Sequence, residues 1–457
     1  MTPRRVPISY LCESAPGPPG KFAAPKLGSP SQPAARRERK HVRPTVSRTA
    51  TTALATSLLL LTGCTTVYPG VGVRNPHADQ NVNVSLLDTG NFPTKPSEPL
   101  GTAKTREAGA LVEARRLADV VTVPFEADPA LTKSGGAAGA VTIGNDIGFS
   151  YFSEDTGVGV AITNAVNDGG LITGFKTNAE SEIGSNGLAK LKHVVVRFAT
   201  PEDATKAVDA MADHAEHEAT EYNPPRQAQP IPDRPEIRAF SSSDEDKRSN
   251  VFTFVAHGTY ALIDFAEVAY RKTNLDDAIR LATTTIDKQI PPLDGFQATP
   301  VDKLADLEID PSGLQARTLP IPKNASSSAQ PGVYGAHGAL HFMANPQRSQ
   351  KTFDDTGMTE LSRAGATVYQ ARDENSAKKL ADDIVAEIGG MKYPSYLPDD
   401  PISNLPGSKC LKPDGDSTLY AFRCVVSVDR YVIEIGGPSA VEARRMASAQ
   451  YVMLTAK

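Results

Sequence analysis

The chain has 457 residues, of which 40% are hydrophobic and 22% charged, a composition that suits a globular protein of two domains behind a leader. The complete absence of Trp argues against an aromatic carbohydrate platform. Residues 1–63 hold ten Lys/Arg against two acids, Glu13 and Glu38, which leaves 38 basic and 51 acidic side chains beyond them. An acidic body with no Lys/Arg stripe is repelled by a phosphate backbone, so nucleic acid is excluded as a partner.

Arg43 and Arg48 precede the apolar run Ala53 to Leu61, which ends in Thr62-Gly63-Cys64. That order is the n-region, h-region and cleavage site of an export signal. The run is about half of the roughly 20 apolar residues a bilayer span requires, so it is a signal and not a span. Leu61-Thr62-Gly63-Cys64 resembles the bacterial lipobox, in which the thiol is acylated and the leader is cut before it. The expectation is a mature chain held by lipid on Cys64 at the extracytoplasmic face of the cell membrane. Residues 1–41 are longer than such a leader needs, which makes Val42 an alternative initiator.

Residues 64–81 are small, polar or Pro/Gly and read as a flexible tether. Val82, Val84 and Leu86 alternate with polar residues, which predicts a strand to Asp88. A helix is predicted from Thr105 to Val121, with Ala108, Leu111, Val112, Leu117 and Ala118 on its apolar face. Beyond the glycines at 135–139 the chain repeats with a period of roughly 170 residues. Gly187-Leu188-Ala189-Lys190-Leu191 lies opposite Gly357-Met358-Thr359-Glu360-Leu361. Each copy continues with a strand (Val194 to Ala199; Ala366 to Ala371) and a helix capped by Thr200 or Asp373. A Pro-rich loop, a hairpin (Val251 to His257 with Tyr260 to Glu267; Leu419 to Val428 with Tyr431 to Gly436) and a final helix (from Asn274; from Ala440) complete it. Val158 to Asn164 and Ala339 to Ala344 are predicted as further strands.

The fold class is therefore α+β, two tandem β-α-β-β-α repeats whose antiparallel sheets carry helices on one face. The first domain spans 82–290, a linker strap 291–331 and the second domain 332–457. Apolar residues in the strap (Leu304, Leu307, Ile309, Leu314) predict that it lies against the copies.

The sequence Leu87-Asp88-Thr89-Gly90-Asn91-Phe92-Pro93-Thr94 after the lipid cysteine, with Glu113-Ala114-Arg115-Arg116 in the following helix, resembles uncharacterised cell-envelope lipoproteins of mycobacteria, nocardiae and rhodococci. The resemblance implies an envelope location and no particular chemistry.

Three patterns imitate active sites. Asp88-Thr89-Gly90 and Asp355-Thr356-Gly357 suggest the two lobes of an aspartic protease, yet the repeat sets Asp355 opposite Ser185, and turns explain both better. His214 with His217, and His337 with His341, have metal-like spacing but no completing ligand, and glycines at 335 and 338 argue that the second pair lies on a strand or loop. Glu113 and Arg116 are spaced as a solvated ion pair on a helix face. No nucleophile elbow or phosphate loop is present, so no catalytic residue, metal or cofactor is assigned.

Cys410 and Cys424 are the two thiols left once Cys12 leaves with the leader and Cys64 is acylated, which in an oxidising compartment predicts a disulfide. Binding residues concentrate on loops carried by a rigid scaffold. The candidates are therefore Tyr222, Arg226 and Arg238 from one Pro-rich loop and Tyr393, Tyr396 and Lys409 from the other. Two function classes follow: a non-enzymatic binder of an envelope lipid, cell-wall component or protein, and, as the alternative, an envelope hydrolase. An apolar groove favours the first, a polar cluster in an open cleft the second.

Overall fold

The computed structural model describes residues 82–134, 140–143, 160–182, 187–217, 226–243, 248–270, 274–321, 331–392, 394–415 and 421–456; Cys64, Tyr222 and Tyr393 lie outside them. Helix α1 (Arg106–Ala118) starts at Thr105, whose hydroxyl accepts from the Ala108 N–H at 3.2 Å. There follow α2 (Pro124–Ala127), β1 (Lys133–Ser134), β2 (Val141–Ile143), α3 (Val160–Asp168), β3 (Thr173–Glu180), β4 (Leu188–Arg197) and α4 (Pro201–His217). Next come β5 (Gln227–Ala228), β6 (Arg238–Ser243), β7 (Arg248–His257), β8 (Tyr260–Ala269) and α5 (Asn274–Gly295). After a 3-10 turn at Val301–Asp306 the chain forms β9 (Gly332–Gly335), α6 (Ala336–Leu340), α7 (Pro346–Thr356), β10 (Glu360–Arg363), β11 (Thr367–Gln370) and α8 (Glu374–Gly389). It ends with β12 (Tyr396–Asp399), β13 (Lys409–Pro413), β14 (Phe422–Val428), β15 (Tyr431–Gly437) and α9 (Ala440–Thr455).

Two antiparallel sheets result. The first runs β1-β3-β4-β8-β7-β6-β5, with β2 also paired to β3, and the second runs β9-β10-β11-β15-β14-β13-β12. From β3 and β10 onward the two orders correspond strand for strand, so the molecule is α+β with tandem sheet units. The Gly187 and Gly357 segments are not equivalent, however. Gly187 opens β4, whereas Gly357 leads into β10, which holds the place of β3. The strands that do correspond are β4 and β11.

Each Pro-rich segment also contributes two edge strands, β5 with β6 and β12 with β13, in place of a loop. Pro398 is tolerated in β12 because that strand forms the sheet edge, where a missing N–H leaves no ladder bond unmade.

The expectation of helices on one face is overturned. Val194, Val196, Phe252, Phe254 and Ile263 pack under α4 with Ala204, Val208 and Met211. On the opposite face Leu191, Val195, Val251 and Leu262 pack with Leu281 and Ile286 of α5. The second sheet behaves alike, with α8 (Leu380, Ile384) on the face of Tyr369 and Val432, and α9 (Ala443, Met446) on the face of Val368 and Ile433. The sequence reason is visible in β7 and β8, whose apolar residues run nearly without interruption and offer no polar face to water. The α5 face of the first sheet and the α8 face of the second share one apolar core.

Three further segments differ from expectation. Residues 84–86 form a 3-10 turn because the Asn83 side chain accepts from the Ser85 N–H, and Leu86 is exposed. Val160–Asp168 is helix, and 339–344 is the end of α6 with a turn. In α1 it is Leu111 that faces outward, while Glu113 is wholly buried.

The strap binds both units. Ala103 and Lys104 donate to the carbonyls of Leu307 and Ala305, and Gly365 donates to Leu319 at 2.7 Å. Gly109 permits α1 to touch the strap, since a Cβ there would stand 2.0 Å from the Leu304 carbonyl oxygen. Among the described residues no helix is long and apolar enough to cross a membrane.

Candidate functional site

Cys410 and Cys424 are disulfide-bonded, with Cα atoms 4.1 Å apart, as directly paired residues of β13 and β14. Cys410 therefore sits in a strand, and the bond ties an edge strand to its neighbour within the apolar layer under α9. The other predicted residues also belong to edges. The buried Arg226 stacks its guanidinium over Phe252 at 4.4 Å. Arg238 pairs with Asp209 at 3.0 Å and Lys409 with Asp382. Tyr396 donates to the Ala421 carbonyl at 3.1 Å. Arg226 and Arg238 thus serve the first sheet, and Tyr396 and Lys409 the second.

The imitations of active sites also resolve. Asp88 accepts from Gly90 N–H at 3.0 Å in an Asx turn and from Arg445 Nε at 2.9 Å. Those bonds, the Arg445 one foremost, hold its pKa below the ordinary carboxylate value. Asp355 pairs with Lys351 and Lys379 at the end of α7, where Gly357, at φ 57°, supplies the left-handed cap. His217 bonds back to Asp213 on the surface. His337 and His341 do share a helical turn, contrary to the glycine argument, because the Asp119 carboxylate accepts from the N–H groups of Gly335 and Gly338 and so caps α6 from another segment. His341 is wholly buried between Thr177 and the Ala118 carbonyl, and burial drives its pKa down to about 3.

Glu113 accepts from Arg116, from Arg197 at 3.1 Å and from the Thr299 N–H at 2.7 Å, so the ion pair expected on a wet face joins α1, β4 and the strap in the interior. A second buried network centres on His193, whose Nδ1 faces Asp264 at 2.7 Å and whose Nε2 faces Gln289 Oε1 at 2.7 Å. Gln289 cannot turn its amide around, because Thr122 N–H donates to Oε1 and Nε2 donates to the Val120 carbonyl. Both ring nitrogens therefore face acceptors, and the ring is an imidazolium. Burial presses its pKa down, but the Asp264 charge and the two hydrogen bonds outweigh this and hold it above the ordinary value. These groups have no solvent exposure and meet no substrate.

An accessible site lies elsewhere, in the second unit. A cavity of about 310 Å³ opens between α8 and the inner face of β10, β11, β14 and β15. Phe342, Met343, Ile384, Ile388 and Met391 form its apolar wall. Its polar floor is a relay in which the Tyr369 hydroxyl donates to Glu434 Oε2 at 2.8 Å and Arg423 Nη1 donates to Glu434 Oε1 at 3.0 Å. Burial, then the Glu434 charge, raises the Tyr369 pKa well above the ordinary value, so Tyr369 stays a neutral donor. Burial lowers the pKa of Arg423, yet Glu434 and the Tyr396 hydroxyl together raise it overall. Tyr396 thus supports the cavity from behind.

Arg363 completes the lining. Its guanidinium stacks on Phe342 at 4.0 Å, and its Nη1, like Nε of Arg423, is buried without a hydrogen-bond partner among the described residues. Burial lowers its pKa, opposed by the field of Tyr334. Glu387 borders the cavity but directs its oxygens to Asn345 N–H and Ser349 Oγ, each at 3.1 Å. Burial raises its pKa. The signal for this site in the sequence is slight. Arg423 and Glu434 are single charges inside strands that are otherwise apolar on both faces.

Paired antiparallel sheet units with helices on both faces define an α+β protein. Residues 100–309 match the N-terminal part, and residues 314–457 the C-terminal part, of a family described as a domain of unknown function, DUF7373. Together they take in more than three quarters of the chain, which belongs to this family. No curated protein matches it. Among solved structures it is similar to the extracellular domain of PknH from Mycobacterium tuberculosis, at 12% identity and a TM-score of 0.25, over 37% of this chain and 92% of that one.

Proposed function

We propose that this chain is an extracytoplasmic lipoprotein, anchored to the cell membrane through lipid on Cys64, that binds a small envelope ligand in the cavity under α8 without transforming it. The observation that carries the binding half is the cavity itself, where an apolar wall and the Arg363 side chain line one accessible space. The anchoring half rests on the leader and the Leu61-Thr62-Gly63-Cys64 box.

Two measurements test the reading. A fatty-acid probe should label the wild type and not Cys64→Ala; label on the variant refutes the anchor. Native mass spectrometry of protein taken from its own membranes should show a bound small molecule that Ile388→Trp, which fills the cavity, expels. An adduct retained by that variant at unchanged thermal stability refutes the site.

A further inference from the structure

We propose that the cavity takes a compact monoanion, a carboxylate on a short apolar chain, with Arg363 as the residue that recognises the head group. The inference rests on the ligand-binding reading above and narrows it to a chemical class.

The floor presents two guanidinium groups, Arg363 and Arg423, against one carboxylate, Glu434, which Arg423 and Tyr369 already engage. Glu387 is turned to the N-terminus of α7, where the helix dipole and two hydrogen bonds compensate it. One positive charge remains, on Arg363. A carboxylate cancels it, whereas a phosphate monoester, at about −1.5 to −2 near pH 7, leaves excess negative charge beside Glu434. The wall of Met343, Ile384, Ile388 and Met391 is apolar, and Glu387 beside it has its oxygens taken up by Asn345 and Ser349, so the rest of the ligand is apolar.

The repeat supplies a second argument. Counting back from the two hairpin turns, Tyr369, Arg423 and Glu434 hold the positions that Val196, Phe252 and Ile263 hold in the first sheet. There the three residues belong to a closed apolar core under α4. The fourth floor residue, Arg363, corresponds to Lys176, which is also buried, so the cation has a counterpart in the first sheet whereas the Tyr369, Arg423 and Glu434 relay is replaced there by apolar residues.

The test is calorimetric titration of the mature protein with decanoate, decanol, decyl phosphate and acetate. Decanoate should bind, decanol and decyl phosphate should each bind at least roughly 10-fold more weakly, and acetate should give no heat. Arg363→Gln should weaken decanoate by roughly 10- to 100-fold, the scale of one charge-assisted hydrogen bond, and leave decanol unchanged. Decanol binding as tightly as decanoate overturns the inference from the wild type alone, whether or not the variant folds. So does decanoate binding that Arg363→Gln leaves intact. If none of the four binds while a native adduct is expelled by Ile388→Trp, the anion class falls and the binding site stands. If no native adduct exists either, both fall.

Discussion

Removing His193 should destabilise the protein far more than removing it together with its partner. In His193→Ala the Asp264 carboxylate stays wholly buried, with the Thr253 hydroxyl at 3.2 Å the one donor left to it among the described residues. Stranding one member of a buried ion pair costs about 3–5 kcal/mol, whereas replacing both members by apolar residues is often neutral. The second sheet already shows the apolar solution, since the positions equivalent to His193 and Asp264 are Ala366 and Ile435. His193→Ala with Asp264→Ile should therefore recover at least half of the loss.

The pH dependence provides an independent check on the same pair. The folded pKa of His193 lies above its unfolded value of about 6.5. Its contribution is therefore complete below pH about 6.5 and is lost as pH rises through the folded pKa. Urea denaturation followed by far-ultraviolet circular dichroism at pH 5.5, 7 and 9 reads both effects, and the absence of Trp makes dichroism the better signal. The wild type should lose stability on the alkaline side, and His193→Ala should lack that slope. Equal losses in the single and double variants, or parallel alkaline slopes, refute the reasoning.

Four further outcomes follow from the packing. His341, with a folded pKa of about 3, should withdraw stability as pH falls from about 6.5 toward 3, at up to about 1.4 kcal/mol per unit, and His341→Gln should flatten that acid limb in the same assay. Glu113→Gln should cost about 3–5 kcal/mol in urea melts because Arg197 loses its buried partner, while Glu442→Gln in α9, where Glu442-Ala443-Arg444-Arg445 repeats Glu113-Ala114-Arg115-Arg116, should stay within about 0.5 kcal/mol. Gly109→Ala should destabilise by about 1–3 kcal/mol despite the better helix propensity of Ala, because the new methyl meets the Leu304 carbonyl; a stabilised variant sinks the claim of close approach. Cys410→Ala with Cys424→Ala should lower stability by about 3 kcal/mol, the chain-entropy value for a closed loop of about 15 residues, and thiol titration of the unreduced wild type should find neither cysteine free.

How much of this was legible depended on whether the signal was local. The caps at Thr200 and Asp373, the apolar rows of α4 and α8, and both hairpins are set by neighbours in sequence, and the chain displays them. The edge strands were hidden because β5 and β12 are short and lie within Pro-rich segments, so their pairing depends on a sheet that already exists. Glu113 read as a surface charge for a related reason. Its spacing to Arg116 is that of a wet helical pair, and only the arrival of Arg197 and Thr299 from distant segments makes it an interior one. The cavity was least legible of all. Arg363, Tyr369, Arg423 and Glu434 come from four strands, and no short window holds them together.

Repeat position and chemistry part company in this molecule, and the reason is geometric. In the first unit the inward face, which contributes to the core shared by both sheets, is the one covered by the last helix, α5; in the second it is the one covered by the first helix, α8. The same repeat position therefore points inward in one unit and outward in the other. His193, Thr253 and Asp264 face inward, and their equivalents Ala366, Cys424 and Ile435 lie in the outer apolar layer under α9. Tyr369, Arg423 and Glu434 reverse the relation, with apolar equivalents in the outer layer under α4. These two polar sets thus follow the face turned to the partner unit, where donors from the other half are within reach. His341 meets Thr177, Asp119 caps α6, and Arg115 bonds Tyr334 across that seam. A duplicated frame gave two copies of each position, and the inverted packing turns one of each pair toward the other half and the other away from it.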